Sequence, residues 1–121
     1  MNKIVIPQSG KTIILDVSNI IYCSADRNYS IVYLKDNSQL SCTKCLTELT
    51  KDLMNNDFIR ISQSCVVNID YIVEIVSQEK QILLSTNQHL IFTKKYKEIC
   101  FELYKRFSRQ STDVLWEISA Q

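Results

Sequence analysis

Every apolar run in this chain is short, and nearly every one is closed by a polar turn. The closing segments are Gln8-Ser9-Gly10, Asp16-Val17-Ser18-Asn19, Ala25-Asp26-Arg27-Asn28, Asp36-Asn37-Ser38 and Asn55-Asn56-Asp57. Asn, Asp, Ser and Gly bend the backbone locally through side-chain hydrogen bonds or a positive φ. Between them the apolar residues alternate or form brief continuous runs, the pattern of half-buried and buried strands. The spacing predicts strands over 3–6, 11–15, 20–24, 29–34, 39–43, 58–61, 65–68, 72–77, 81–85 and 89–92. Two windows have helical period instead. One follows Thr43 as a capping residue, with Leu46, Leu49, Leu53 and Met54 on its apolar face. The other follows Thr93, with Tyr96, Ile99, Cys100, Leu103, Tyr104 and Phe107. Many short strands and two helices favour a mainly β domain over a βαβ sheet. The sequence displays no linker, repeat or low-complexity tract. Residues 108–113 read as a polar, loose segment, and 114–118 as a short apolar tail with the single tryptophan.

A chain of 121 residues is large enough for one core. Its formal net charge is only +1, so the overall charge does not point to nucleic acid. The distribution is polarised, however: segment 69–92 carries a net −2 and segment 93–121 a net +2. The five cysteines, an odd number placed mostly inside apolar runs, read as buried thiols in a reducing compartment. No apolar run approaches the ~18 residues that span a bilayer, and the apolar part of the N-terminus is too short for a signal peptide. The expected location is cytoplasmic, with no membrane partner.

Little here suggests an enzyme. The single histidine, His89, lies in a strand-like run without a neighbouring acid, and one glycine cannot build a phosphate-cradling loop. Cys42-Thr43-Lys44-Cys45 is a CxxC, but a structural zinc site needs four ligands and the remaining candidates are scattered singly. A redox pair needs a βαβ setting that the chain does not display. No cofactor and no metal are expected.

The stretch Phe58-Ile59-Arg60-Ile61-Ser62-Gln63-Ser64-Cys65-Val66-Val67-Asn68 is the most specific in the chain. It resembles the Phe-x-Arg-x-His-x-Ser-x-x-Val-Asn signature of LytTR-type DNA-binding domains of bacterial transcription regulators. The resemblance extends upstream through Ile20-Ile21-Tyr22, residues 28–34 and Leu46-Thr47-Glu48-Leu49, and downstream through Ile72-Val73-Glu74-Ile75 and Thr93-Lys94-Lys95-Tyr96. It covers residues 11–107, leaving 1–10 as an N-terminal strand or arm and 108–121 as a tail. The chain departs from the signature at Ser62 and Gln63, where the family usually has His, often followed by Arg. The resemblance implies about ten strands in stacked, elongated sheets with two helices, and loops along one edge that reach the major groove.

By that resemblance, Asn28, Gln63 and Lys94 match the family's base-contacting positions. Asn and Gln can pair with adenine N6 and N7, and Lys can donate to guanine O6 and N7. Arg27, Arg60, Ser62, Ser64, Lys95 and Lys97 are then backbone-contacting groups that position the domain. The implied partner is double-stranded DNA carrying paired direct repeats, with homodimerisation on DNA and a receiver domain or sensor kinase pathway upstream. Each position has a structural alternative. Asn28 can supply hairpin geometry, Ser62 and Gln63 a solvated turn, and Lys94-Lys95 an exposed first helical turn. Arg60 can pair with a carboxylate at the core edge. Tyr29 and Tyr33 read as sheet packing, and Asn68 as a buried structural hydrogen-bonder. The rival function is a protein-interaction module of the same fold that has lost DNA binding and docks a partner through the apolar tail.

Overall fold

The structure, a computed structural model, describes residues 2–108. Strands β1 (Lys3–Gln8) and β2 (Lys11–Asp16) form a hairpin whose turn holds Gly10 at φ +82°. A 3₁₀ turn, Val17–Asn19, leads into β3 (Ile20–Asp26), β4 (Tyr29–Leu34) and β5 (Gln39–Cys42), and then helix α1 (Leu46–Leu53). Next come β6 (Phe58–Ser62), β7 (Cys65–Asn68), a second 3₁₀ turn at Ile69–Tyr71, and β8 (Ile72–Val76), β9 (Gln81–Leu84) and β10 (His89–Ile91). Helix α2 (Tyr96–Ser108) closes the described chain. The strands make three antiparallel sheets: β1-β2, β5-β4-β3-β7-β6 and β10-β9-β8. This is the mainly β, two-helix architecture that the short punctuated runs imply.

The five-stranded sheet is covered on both faces, and β7 shows why. All four of its residues are buried. Val66 joins a core with Ile6, Leu49, Leu53 and Phe58, whereas Cys65 and Val67 join a second core with Ile61, Ile82, Phe92 and Ile99. Alternate side chains of a strand point to opposite faces, so one sheet feeds two cores. The first core lies beneath β1-β2 and α1, the second beneath β8-β10 and α2. Asn68, at the end of β7, is 3% exposed, and both polar atoms of its side chain are hydrogen-bonded. Its Nδ2 donates to the Ile20 carbonyl at 2.9 Å and its Oδ1 accepts from the Asp70 N–H at 3.0 Å.

The fold also contains a repeat that the sequence does not display. A hairpin, a 3₁₀ turn, a three-stranded meander and a helix occur once from Lys3 to Leu53 and again from Phe58 to Ser108. The hydrogen bonds repeat with the elements. Leu34 N donates to Ser38 O and Asn37 N to Leu34 O, as Leu84 N does to Gln88 O and Asn87 N to Leu84 O. Lys35 N reaches back to Asn19 O, as Ser85 N does to Tyr71 O. Asn37 and Asn87 share a left-handed φ, 69° and 70°. β3 and β8 each break register early, between Ile20 and Tyr22 and between Ile72 and Glu74.

Three local expectations are corrected. The residue capping α1 is Cys45, which makes no side-chain cap bond, because Thr43 N and Oγ1 both donate to the Pro7 carbonyl. Thr93 does not cap α2 either: its N–H is spent on Ile61 O, and the helix starts at Tyr96 with the Lys95 carbonyl accepting from Ile99 N. Met54 lies beyond the α1 core stripe and is 52% exposed. The expectations for residues 109–121 lie outside the described residues.

Candidate nucleic-acid interface

Antiparallel order places several loops at one end of the five-stranded sheet. β3 and β7 pair through Ser24 and Cys65, and Ala25 N then donates to Ser64 O at 2.9 Å. The β3–β4 turn, Arg27-Asn28, therefore projects beside the β6–β7 turn, Gln63-Ser64. The segment entering α2 is fastened to the same end: Thr93 N and Lys94 N both donate to Ile61 O, at 3.0 and 3.2 Å. Residues 63 and 94, far apart in sequence, thereby become neighbours. Arg60, Ser62, Gln63, Thr93 and Lys94 line one depression of about 270 Å³.

The β6–β7 turn is held from inside. Arg60 Nε donates to Ser62 O at 2.8 Å, its Nη2 donates to Gln63 O, and its Nη1 reaches Thr50 Oγ1 at 3.5 Å. Among the described residues no carboxylate meets it, so the ion-pair alternative for Arg60 is corrected: its partners there are two turn carbonyls and a hydroxyl. Guanidinium has five N–H donors, and three are used here. Ser62 Oγ accepts from Ser64 N at 3.2 Å and lies 3.3 Å from Ser64 Oγ. The serine at the family's usual histidine position thus closes the turn and leaves the exposed Gln63 at its tip.

Arg27 lies on the neighbouring β3–β4 turn, Lys94 lines the depression, and Lys95 and Lys97 follow it at the start of α2; all but the half-buried Lys94 are exposed. Among the described residues none of the four makes an ion pair. Arg27 takes a left-handed φ of 59°, so the β3–β4 turn presents Asn28 from a tight two-residue corner. The depression unites the second and third loops, and Asn28 lies outside its lining. Two residues were not anticipated. Thr93, read as a helix cap, lines the depression. Tyr29, read as sheet packing, is 56% exposed beside Asn28. Tyr33 is the packed one, stacked on Tyr22 at 4.2 Å.

The other reactive side chains are placed elsewhere. Cys42 is buried at the end of β5 and burial raises its thiol, the reverse of what an activated redox cysteine requires. Cys65, beneath the β6–β7 turn, is pushed up to about 12 by burial. All five cysteines are free thiols. Among the described residues no three His, Cys, Asp or Glu groups gather as metal ligands, and no helix is long and apolar enough to cross a membrane.

The family model of the LytTr DNA-binding domain matches residues 10–105. The chain belongs to the LytTr DNA-binding domain family. A solved LytTr DNA-binding domain from Bacillus cereus superimposes with a TM-score of 0.66 over 85% of this chain and 96% of that one. At 20% identity that likeness bears on the fold. A heme-containing, CO-sensing transcriptional regulator of Paraburkholderia xenovorans, RcoM 1, is 27% identical over 82 residues. The match takes in 68% of this chain but 30% of that regulator, so this LytTr chain corresponds to a fraction of the relative's length.

Proposed function

We propose that this LytTr domain is the sequence-specific, double-stranded-DNA-binding part of a bacterial transcription regulator in a two-component pathway, acting in the cytoplasm. It reads the major groove through loops rather than a recognition helix. Asn28, Gln63 and Lys94 face base edges. Arg27, Arg60, Ser62, Ser64, Lys95 and Lys97 face the sugar–phosphate backbone. The DNA-binding unit is residues 11–107, with 1–10 as a strand packed on it. The observation that carries this reading is the junction of Gln63 and Lys94 across one shared depression. Together they offer an amide suited to adenine and an ammonium suited to guanine. Arg60 adds to the support by fixing the Gln63 tip through two carbonyl contacts. A preordered turn loses less entropy on binding.

The operator is expected to contain two direct repeats, engaged by two copies of the domain, with a receiver domain and sensor kinase supplying the signal. Selection from a random duplex pool tests this. An enriched paired motif whose affinity falls steeply with salt is the expected result, because neutralised phosphates release counterions. No enrichment, with weak salt-insensitive binding, would reject it in favour of a protein-interaction module on the same fold.

A further inference from the structure

Two of the residues lining the depression at the loop end spend their side chains on the β6–β7 turn itself. Arg60 donates to the Ser62 and Gln63 carbonyls, and Ser62 Oγ accepts from Ser64 N. The side chains of the other three, Gln63, Thr93 and Lys94, make no hydrogen bond or ion pair among the described residues. Gln63 and Lys94 have roles in the proposed reading of DNA. Thr93 has none there, and it does not cap α2, which starts at Tyr96.

The repeat explains why the Thr93 hydroxyl is unspent. In the first half, the Pro7 carbonyl accepts from Thr43 N at 2.9 Å and from Thr43 Oγ1 at 3.3 Å. In the second half, the equivalent Ile61 carbonyl accepts from Thr93 N at 3.0 Å and from Lys94 N at 3.2 Å. A carbonyl oxygen has two lone pairs, so each acceptor is full. The second donor is the threonine hydroxyl in one half and the next backbone N–H in the other. Lys94 N takes the place of the hydroxyl, and Thr93 Oγ1 is left without a protein partner. The backbone beneath it is fastened at both 93 and 94, and a β-branched side chain has few χ1 rotamers. The hydroxyl is therefore held in place before any ligand arrives, which lowers the entropy lost on binding.

We infer that Thr93 is a specificity-determining residue whose hydroxyl hydrogen-bonds a base edge between those met by Gln63 and Lys94. A threonine hydroxyl both donates and accepts, so it can meet either kind of group on a base. A duplex seated on the depression strips water from Thr93, and a hydroxyl left unpaired there costs binding. The depression also favours a base over a phosphate. Thr93 shares it with the two base-reading side chains, whereas Lys95 and Lys97 lie outside its lining. The inference rests on the proposed DNA reading and adds a third polar contact to it.

The test uses the duplex that the unmodified chain selects, with each base pair of the site also replaced in turn. Thr93→Val keeps the branched shape and removes the hydroxyl, while Thr93→Ser keeps the hydroxyl and removes the methyl. Thr93 is exposed, so both variants are expected to keep the circular dichroism and urea midpoint of the unmodified chain. Thr93→Val is expected to bind the selected duplex about tenfold more weakly and to lose discrimination at one base pair. Thr93→Ser is expected to retain both, and Gln63→Ala to lose discrimination at a different base pair. Unchanged binding by Thr93→Val, with a loss from Gln63→Ala, would overturn this inference and leave the DNA reading standing. A loss from Thr93→Val that is uniform across the replaced base pairs would make the hydroxyl a phosphate contact and overturn it as well. So would an equal loss from Thr93→Ser, which would assign the contact to the methyl. Selection of no duplex by the unmodified chain would overturn both readings together.

Discussion

The two halves of this molecule share one plan and differ in what they expose. In the first half, the hairpin turn is Ser9-Gly10, and the connector to α1 carries Lys44. Lys44 Nζ lies 2.7 Å from Asp52 Oδ2, and that carboxylate bond raises its pKa. In the second half, the equivalent turn is Gln63-Ser64, stiffened by Arg60, and the equivalent lysine, Lys94, makes no ion pair among the described residues. The backbone supporting the two lysines is the same: Thr43 N donates to Pro7 O, and Thr93 N to Ile61 O. Equal scaffolds therefore present unequal chemistry. A glycine turn beside a neutralised lysine offers a duplex little, whereas an amide tip beside an unpaired ammonium offers base-reading groups. On the proposed function, the recognition surface arises from side chains added to one copy of a repeated frame.

The comparison can be broken at the core. The halves share the five-stranded sheet, and each apolar cluster draws side chains from both, Phe58 and Val66 entering the first and Ile21 the second, so they should unfold together. Phe58→Ala and Phe92→Ala, one in each cluster, should each cost about 3–5 kcal/mol. Both should lower a single cooperative transition in urea, followed by circular dichroism. Two resolved transitions, only one of them shifted by each variant, would show the halves to be separate folding units.

Alkaline stability probes the sheet between them. Burial holds the Cys65 thiol at about 12 against an ordinary 9.0, and raises Cys23 further. The unfolded chain ionises these thiols first, so the stability they confer is complete below pH 9 and is lost as pH rises toward the folded value. A fall of about 2–3 kcal/mol by about pH 11 is expected from Cys65 alone, at ~1.4 kcal/mol for each unit, with Cys23 adding to it. Chemical denaturation across that range measures it, and Cys65→Ala should flatten the dependence.

Smaller effects sharpen the contrast at the loops. Arg60→Ala should loosen the Gln63 tip and weaken specific DNA binding by about 1–3 kcal/mol. Arg60→Lys should not restore it, since a lysine keeps the charge but cannot hold two turn carbonyls in a planar fork. Full rescue by lysine in a binding titration would make Arg60 a simple phosphate contact. Asp52→Asn should cost less than about 1 kcal/mol in stability, because the Lys44–Asp52 pair is about one-third exposed.

Much of the fold was legible because strands announce themselves twice, through period-two apolar residues and through turn residues such as Asn37 and Asn87. The helix starts were not. Thr43 and Thr93 look like caps in sequence, but each fastens its connector to the hairpin of its own half, delaying the helix. The repeat was hidden because it is carried by backbone bonds that many side chains permit, while the two halves share only scattered identities such as Asn37 with Asn87 and Lys44 with Lys94. The candidate site residues could be named from the sequence as loop positions through the family signature. Their geometry could not be read there, since the meeting of Gln63 with Lys94 depends on the Ile61 carbonyl accepting two N–H donors from a distant segment.

The most direct test of the central claim compares the two equivalent lysines on one selected duplex. Lys94→Ala and Lys44→Ala are titrated beside the unmodified domain at two salt concentrations. The account predicts that Lys94→Ala loses about 1–3 kcal/mol of specific binding and relaxes base preference at one position, while Lys44→Ala leaves affinity and preference unchanged. Equal losses from both, or no loss from Lys94→Ala, would contradict it.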